Sequence, residues 1–220
     1  MYGATEPLFE DRFDAGRQLA HALQDHISRL NQAAVLALPR GGVPVGYEVA
    51  RAFGLPLDIL VVRKLGLPGH EELAMGAIAS GDVQVLNQDV LNDLPHADAL
   101  IALALARERP ELIRREQLYR GNRPPVPIQN RPVIVVDDGL ATGSTMRAAV
   151  LALRQREASF ILVAVPVAPR DVPERLRREA DDMVCPFQPV HFRAVGSFYA
   201  DFGQTSDEEV RHLLLESDGP

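Results

Sequence analysis

Asp137 and Asp138 stand side by side at the end of an all-β-branched run, residues 133–136, of the kind a strand buried on both faces requires. Small and hydroxyl-bearing residues follow at once: Gly139, Ala141, Thr142, Gly143, Ser144 and Thr145, then a helical pattern over residues 146–154. A strand that feeds a glycine-containing loop and then a helix N-terminus builds an anion site. Backbone N–H groups converge there, the helix dipole adds positive potential, and the hydroxyls add donors. The two carboxylates cannot hold the anion themselves. Acids at the carboxyl end of such a strand suit sugar hydroxyls, a metal ion, or both. The pattern is not a P-loop, which needs a Lys after the glycine, and it is not the G-x-G-x-x-G dinucleotide fingerprint.

A second strand–turn–helix unit lies upstream. Residues 33–38 read as a buried strand, followed by Pro39, Arg40, Gly41 and Gly42 and by a helix over residues 47–53 that Gly54 caps. The Arg40 guanidinium is a fork for phosphate or pyrophosphate oxygens. A third strand, residues 57–62, runs into Arg63 and Lys64. Residues 65–72 (LGLPGHEE) have no periodicity and read as a mobile loop, in which His70 reads as solvated. Residues 73–80 and 83–86 then read as a hairpin about Gly81 and Asp82.

The ordered set of apolar strand, acid pair, T-G-S-T loop and helix in residues 132–150 resembles the phosphoribosyl pyrophosphate (PRPP) motif of type I phosphoribosyltransferases. The likeness runs over residues 33–187. It implies a PRPP-dependent transferase of the nucleotide-salvage kind, acting on a nucleobase or related nitrogen acceptor and releasing pyrophosphate. By that resemblance Asp137 and Asp138 hold the ribose hydroxyls and the metal environment. Gly139 and residues 141–145 cradle the 5-phosphate. Pro39, Arg40, Gly41, Gly42, Arg63 and Lys64 take the pyrophosphate, and the Pro39–Arg40 peptide is the candidate for a cis bond. Mg2+ is implied, held mainly through substrate oxygens near Asp137 and Asp138. The loop after Lys64 would close over the site and bring in Glu71 or Glu72. One departure matters: hypoxanthine-guanine enzymes carry an aspartate where this chain has Ala141, so base-directed proton transfer falls to Glu71 or Glu72. The family also implies a homodimer.

The remaining chain has to position these groups. Strands alternate with helices, which implies α/β: an open, mainly parallel five-stranded sheet with flanking helices and a smaller hood from the terminal segments. Residues 1–220 read as one domain with a core at 33–187, a loop and hairpin at 63–80, a helical insertion at 87–123 and a C-terminal hood at 186–215. Residues 9–30 place Phe9, Phe13, Ala20, Leu23 and Ile27 on one helical stripe, with Arg12 off it as solvated surface. Residues 87–120 are helical, with Pro110 either kinking the helix or starting a second one. Residues 159–165 and 183–185 read as further strands, and 174–180 as a helix. Residues 186–204 hold six of the eighteen aromatic or histidine residues. Phe192, Phe198 and Tyr199 among them could form a stacking wall for a base. Ser206 and Glu209 have capping-box spacing at the start of a last helix.

Composition limits the alternatives. A net charge of −7 argues against nucleic acid as a partner, although residues 107–123 carry six arginines against three glutamates. That stretch motivates a second reading, a PRPP-binding regulator without transferase activity that contacts RNA or DNA. Cys185 is the lone cysteine, so no internal disulfide and no cysteine-based metal site can form. The sequence has no apolar run of membrane-span length and no basic-then-apolar leader, which gives a cytoplasmic expectation.

Overall fold

The computed structural model describes residues 7–171 and 174–217, with the side chains of Glu71, Glu72, Glu174 and Arg175 outside the described set. In chain order the elements are α1 (Arg12–Leu23), a 3-10 turn (Gln24–Arg29), β1 (Ala34–Ala37), α2 (Gly42–Phe53), β2 (Leu57–Ile59), β3 (Val62–Leu67), β4 (His70–Ala79) and β5 (Val83–Leu86). Then come α3 (Gln88–Leu91), α4 (Ala97–Arg120), β6 (Pro132–Val136), α5 (Ser144–Gln155), β7 (Phe160–Ala164), α6 (Glu174–Glu179), β8 (Asp182–Val184), a 3-10 turn (Val195–Phe198) and α7 (Asp207–Glu216).

Five strands form one sheet in the order β2-β1-β6-β7-β8, and every pairing in it is parallel. The β-branched runs are buried on both faces because strand side chains alternate. Val35, Ala37, Ile134 and Val136 join a core with α1, α2, α4 and α7, while Leu36, Val133, Val135 and Val163 join a second core with α5 and α6. The central position of β6 puts its carboxyl end in the middle of the sheet edge. No helix among the described residues is long and apolar enough to cross a membrane.

Several regions depart from the sequence expectation: the strand expected over residues 57–62 is split between β2 in the five-stranded sheet and β3 in the three-stranded one, and α2 starts at Gly42, not at residue 47. The first helix starts at Arg12, because the Asp11 side chain accepts from Asp14 N–H at 2.7 Å and caps it there. It ends at Leu23, and Phe9 lies outside it in a bridge to Tyr199. Residues 65–72 do not form a loop. Leu65 and Gly66 are buried in β3, only Pro68 and Gly69 turn, and His70 already begins β4. The glycines that suggested a loop serve the turn, with φ +82° at Gly69, and a strand irregularity, with register shifts on either side of Gly66. The expected turn at Gly81 and Asp82 is present, with positive φ at both residues, and completes a β3-β4-β5 antiparallel sheet. α4 continues through Pro110 as one helix of 24 residues.

α4 is anchored to the main sheet by a buried charge cluster. Asp58 on β2 accepts from Ile59 N–H at 2.8 Å, Val126 N–H at 3.0 Å and Arg120 Nε at 3.1 Å. With its oxygens so occupied the carboxylate tolerates burial, and Arg120 is 11% exposed beside it. Asp58→Ala removes the acceptor and leaves the guanidinium enclosed, so urea denaturation is expected to report a loss of about 3–5 kcal/mol. Asp58→Asn, which keeps one acceptor oxygen, should lose less.

Candidate active site

β1 and β6 run side by side with Ala37 opposite Val136, so the turns after both strands meet at one edge of the sheet. Leu38 N–H donates to the Val136 carbonyl at 2.9 Å and carries the pairing one residue into the first turn. The Pro39–Arg40 peptide bond is cis, as the sequence reading expected. Gly41 and Gly42 then lie directly on the acid pair. A Cβ at Gly41 would overlap Asp138 Oδ2, and one at Gly42 would stand 2.8 Å from the Val136 carbonyl oxygen and 3.2 Å from Asp137 Oδ1. Only glycine lets these two turns close on each other.

The acids are half-buried, with 15% of the Asp138 side chain exposed. Asp137 Oδ1 accepts from Asp138 N–H at 2.9 Å. Burial, and then the charge of Asp138, push the Asp137 carboxyl well above its ordinary range. Burial also raises Asp138, against the pull of Arg12, whose Nε donates to Asp138 Oδ2 at 2.8 Å. Tyr199 donates its hydroxyl to the Asp138 carbonyl at 2.6 Å, and burial together with the Asp138 charge raises its own pKa.

Arg12 is the group the sequence reading missed. It was expected at the surface, yet its side chain is 11% exposed. Besides Asp138 it donates from Nη1 to the Gly203 carbonyl at 2.6 Å and lies 4.0 Å over the Phe202 ring. It is drawn inward because the N-terminal strand of chain pairs with the tail: Phe9 N–H donates to the Phe198 carbonyl, and Ala200 N–H to the Phe9 carbonyl. Nothing in local periodicity signals this contact. Only the need of a buried carboxylate pair for a cation could have suggested it.

On the other side of the acids, residues 139–145 wrap toward α5. Gly143 takes φ +71° as the residue before the helix, and no side chain caps the helix. Thr142 and Ser144 hydroxyls lie 3.1 Å apart at the exposed rim of this loop, and Thr145 is half-buried. Ser144 N–H reaches the Thr142 hydroxyl at 3.4 Å, and the hydroxyls lie beside the start of α5, an arrangement suited to an anion.

The other nominated residues are dispersed. Arg40 is half-exposed and 3.6 Å from Asp207 at the start of α7, where Tyr119 also donates to Asp207 at 2.8 Å. Arg63 turns to Glu108 on α4, with Nε at 2.9 Å and Nη2 at 2.5 Å. Lys64 is exposed on β3 and shares a cavity with Ser144. Glu71 and Glu72 have side chains outside the described residues. Phe198 and Tyr199 are 3% and 6% exposed, and they pack with Phe9, Ala15 and Val167 instead of standing open as a wall for a base. Phe192 is half-buried against Phe198, ring centroids 5.3 Å apart. Phe202, not nominated, is the exposed aromatic nearest Arg12.

The family model for the phosphoribosyl transferase domain matches residues 9–202. The chain belongs to the phosphoribosyltransferase family. Two Mycobacterium tuberculosis proteins, of strains CDC 1551 and H37Rv, each named "Putative phosphoribosyl transferase", are 47% identical to it over 208 residues. The matches cover 94% of this chain and 46% of theirs, so the chain spans about half the length of these curated relatives. Among solved structures, the TT1426 protein of Thermus thermophilus superposes with a TM-score of 0.86 at 42% identity, over 94% of this chain and 98% of that one. In this member of the family the acid pair, the cis turn and the α5 loop share one edge of the sheet.

The raised Asp137 carboxyl has a measurable consequence. A group that holds its proton more tightly when folded stabilises fully below its unfolded value, near 3.8, and loses that contribution as pH rises through the folded value. Asp137→Asn keeps the acceptor for Asp138 N–H and cannot ionise. Its Tm should therefore gain on the parent protein as pH rises from acidic to neutral, by ~2–4 °C for each kcal/mol relieved. A gap that is constant with pH would mean that Asp137 does not carry this cost.

Proposed function

We propose that the protein transfers the 5-phosphoribosyl group from PRPP to a nitrogen acceptor, a nucleobase or a related compound, and releases pyrophosphate. The observation that carries the reading is the seating of Gly41 and Gly42 against Asp137 and Asp138, beside the uncapped N-terminus of α5. PRPP needs two anion cradles on either side of a sugar-hydroxyl site, and these three features occur in that order along one edge. The α5 loop, through its amides and the Thr142, Ser144 and Thr145 hydroxyls, takes the 5-phosphate. Asp137 and Asp138 accept from the ribose hydroxyls. The Arg40 and Gly41 amides receive the pyrophosphate, since Pro39 has no N–H and Gly42 N–H is taken by the Leu38 carbonyl at 3.0 Å, and Arg40 and Lys64 are its proposed cations.

The chemistry is displacement at the anomeric carbon, with positive charge developing on the sugar ring and negative charge on the departing pyrophosphate. The acid pair suits the first and the turn amides the second. No cluster of three or more His, Cys, Asp or Glu able to hold a metal occurs among the described residues. Two adjacent carboxylates alone suit a Mg2+ that takes its other ligands from PRPP and water, with Asp137 and Asp138 as its protein side. When bound, that ion neutralises charge on the pyrophosphate as the bond to the sugar breaks.

The regulator reading draws no support from the basic helix. Arg107 pairs with Glu108, Arg109 with Asp82, Arg114 and Arg115 with Glu111, and Arg120 with Asp58 and Glu116. Arg123 donates to the Leu214 and Leu57 carbonyls. These guanidiniums are engaged within the fold.

The test is pyrophosphate release from Mg–PRPP across a panel of purine and pyrimidine bases, with Asp137→Asn/Asp138→Asn as control. Release with one base, reduced by roughly 10²-fold or more in the double variant, is the expected result. Release that the variant leaves unchanged would refute the assignment. Gly41→Ala offers a second check: its Cβ overlaps Asp138 Oδ2, so PRPP binding measured by calorimetry should weaken by at least about tenfold.

A further inference from the structure

A polar cavity of about 240 Å³ lies at the β2 side of the main sheet, where the end of α4, the β4–β5 turn and the residue after α5 come together. At ~30 Å³ for each molecule of liquid water, it has room for about eight waters or one compact organic compound. Two arginines line it. Arg120 is committed, with Nε on Asp58 at 3.1 Å, Nη2 on the Ile59 carbonyl at 3.3 Å and Nη1 on Glu116 at 3.4 Å. Arg156 is not. It is half-buried, its Nη1 donates to the Ser80 carbonyl at 3.4 Å, and its Nε and Nη2 have no partner among the described residues. Burial, and then the charge of Arg120, lower its pKa. A guanidinium drawn out of water beside a second one, with a single long bond to a carbonyl, lacks the compensation that burial demands. The β4–β5 turn leaves it room: Gly81 has φ +87°, and a Cβ there would stand 3.1 Å from Arg156 Nε. Ser80 is 3% exposed, accepts from Val61 N–H through Oγ at 2.9 Å, and has no acceptor for its own hydroxyl proton among the described residues.

We propose that this cavity binds a small organic monocarboxylate, its two oxygens on the Nε–Nη2 fork of Arg156. That edge of a guanidinium presents two parallel N–H groups, the spacing a carboxylate matches. Charge sets the class of ligand. Arg120 and Arg156 are balanced by Asp58 and Glu116, so a singly charged ligand adds one uncompensated charge where a phosphate monoester adds two. Asp58 repels little at hydrogen-bond range, because both its oxygens already accept N–H groups. Glu116 gives only Oε1 to Arg120, and Oε2 is left to accept from a hydroxyl or ammonium on the same compound. The ligand is therefore a hydroxy or amino acid, not a plain carboxylate. The site stands apart from the acid pair: Arg156 is twelve residues, and so ~18 Å along α5, from Ser144. It shares no residue with the proposed transferase site, and the inference does not rest on that activity.

The test is titration calorimetry on the full chain at fixed ionic strength, with acetate, lactate, alanine and inorganic phosphate as the probes. Lactate or alanine should bind saturably in the millimolar range or tighter, by about fivefold better than acetate, the worth of one more hydrogen bond. Glu116→Gln should shrink that advantage. Arg156→Lys keeps the charge and loses the fork, so binding should weaken by about tenfold. Arg156→Gln should abolish binding yet leave the Tm of the ligand-free protein unchanged or higher, because no acid loses a partner. Absence of saturable binding by any of the carboxylates would overturn the proposal, and so would binding that Arg156→Gln leaves intact. A fall in Tm in Arg156→Gln would assign the arginine to the fold instead. Phosphate binding that depends on Arg156 and exceeds that of lactate and alanine would overturn the carboxylate class.

Discussion

The arrangement turns on two adjacent carboxylates packed into protein at the end of the central strand. Like charges side by side and out of water repel each other and lose hydration, so their surroundings must supply compensation. It comes from three directions. Backbone N–H of Asp138 serves Asp137, Arg12 comes from the start of α1, and Tyr199 comes from the tail to hold the Asp138 carbonyl. Gly41 and Gly42 fit against the pair by having no side chain, and both acids keep an exposed edge. Each of these neighbours constrains where a large piece of chain can lie. Of these neighbours only Arg12 brings charge, while Tyr199 ties the tail to the backbone beside it.

The same packing explains what could be read in advance. β-branched runs and the residues that interrupt them are local signals, and from them the parallel sheet, the α5 loop and the Ser206 cap were legible; the Ser206 hydroxyl accepts from Glu209 N–H at 3.0 Å as its spacing suggested. The acid pair and the Gly41–Gly42 turn were legible for a further reason, that their residue types make little sense elsewhere. Arg12 was not. It sits off the apolar stripe of its helix, and its partner is 126 residues away. The stretch after Lys64 misled for the opposite reason. Glycine and proline there looked like a loop, but the third dimension pairs the flanks, and the antiparallel partners of β3 on β4 override a weak local preference.

α4 illustrates how a composition can suggest one role and the contacts another. Its arginines looked like a surface for phosphates. In the fold they lace the helix to β2 and β3 and to its own glutamates, and Leu103 and Ile113 stand exposed among them. Pro110 does not interrupt this long helix. With Glu108 holding Arg63 and Tyr119 holding Asp207, the helix joins the β3 edge and α7 to the same frame as the acid pair.

The bond from Arg12 to the Gly203 carbonyl spans 191 residues. Closing a loop of that length costs about 1.5 kcal/mol more in chain entropy than closing one the length of the Arg17–Glu48 separation. A contact this non-local adds to the loop-closure entropy that folding must overcome before the bond is gained. During synthesis the acid pair is therefore complete in sequence long before it is complete in space, and Asp138 waits for a tail not yet made.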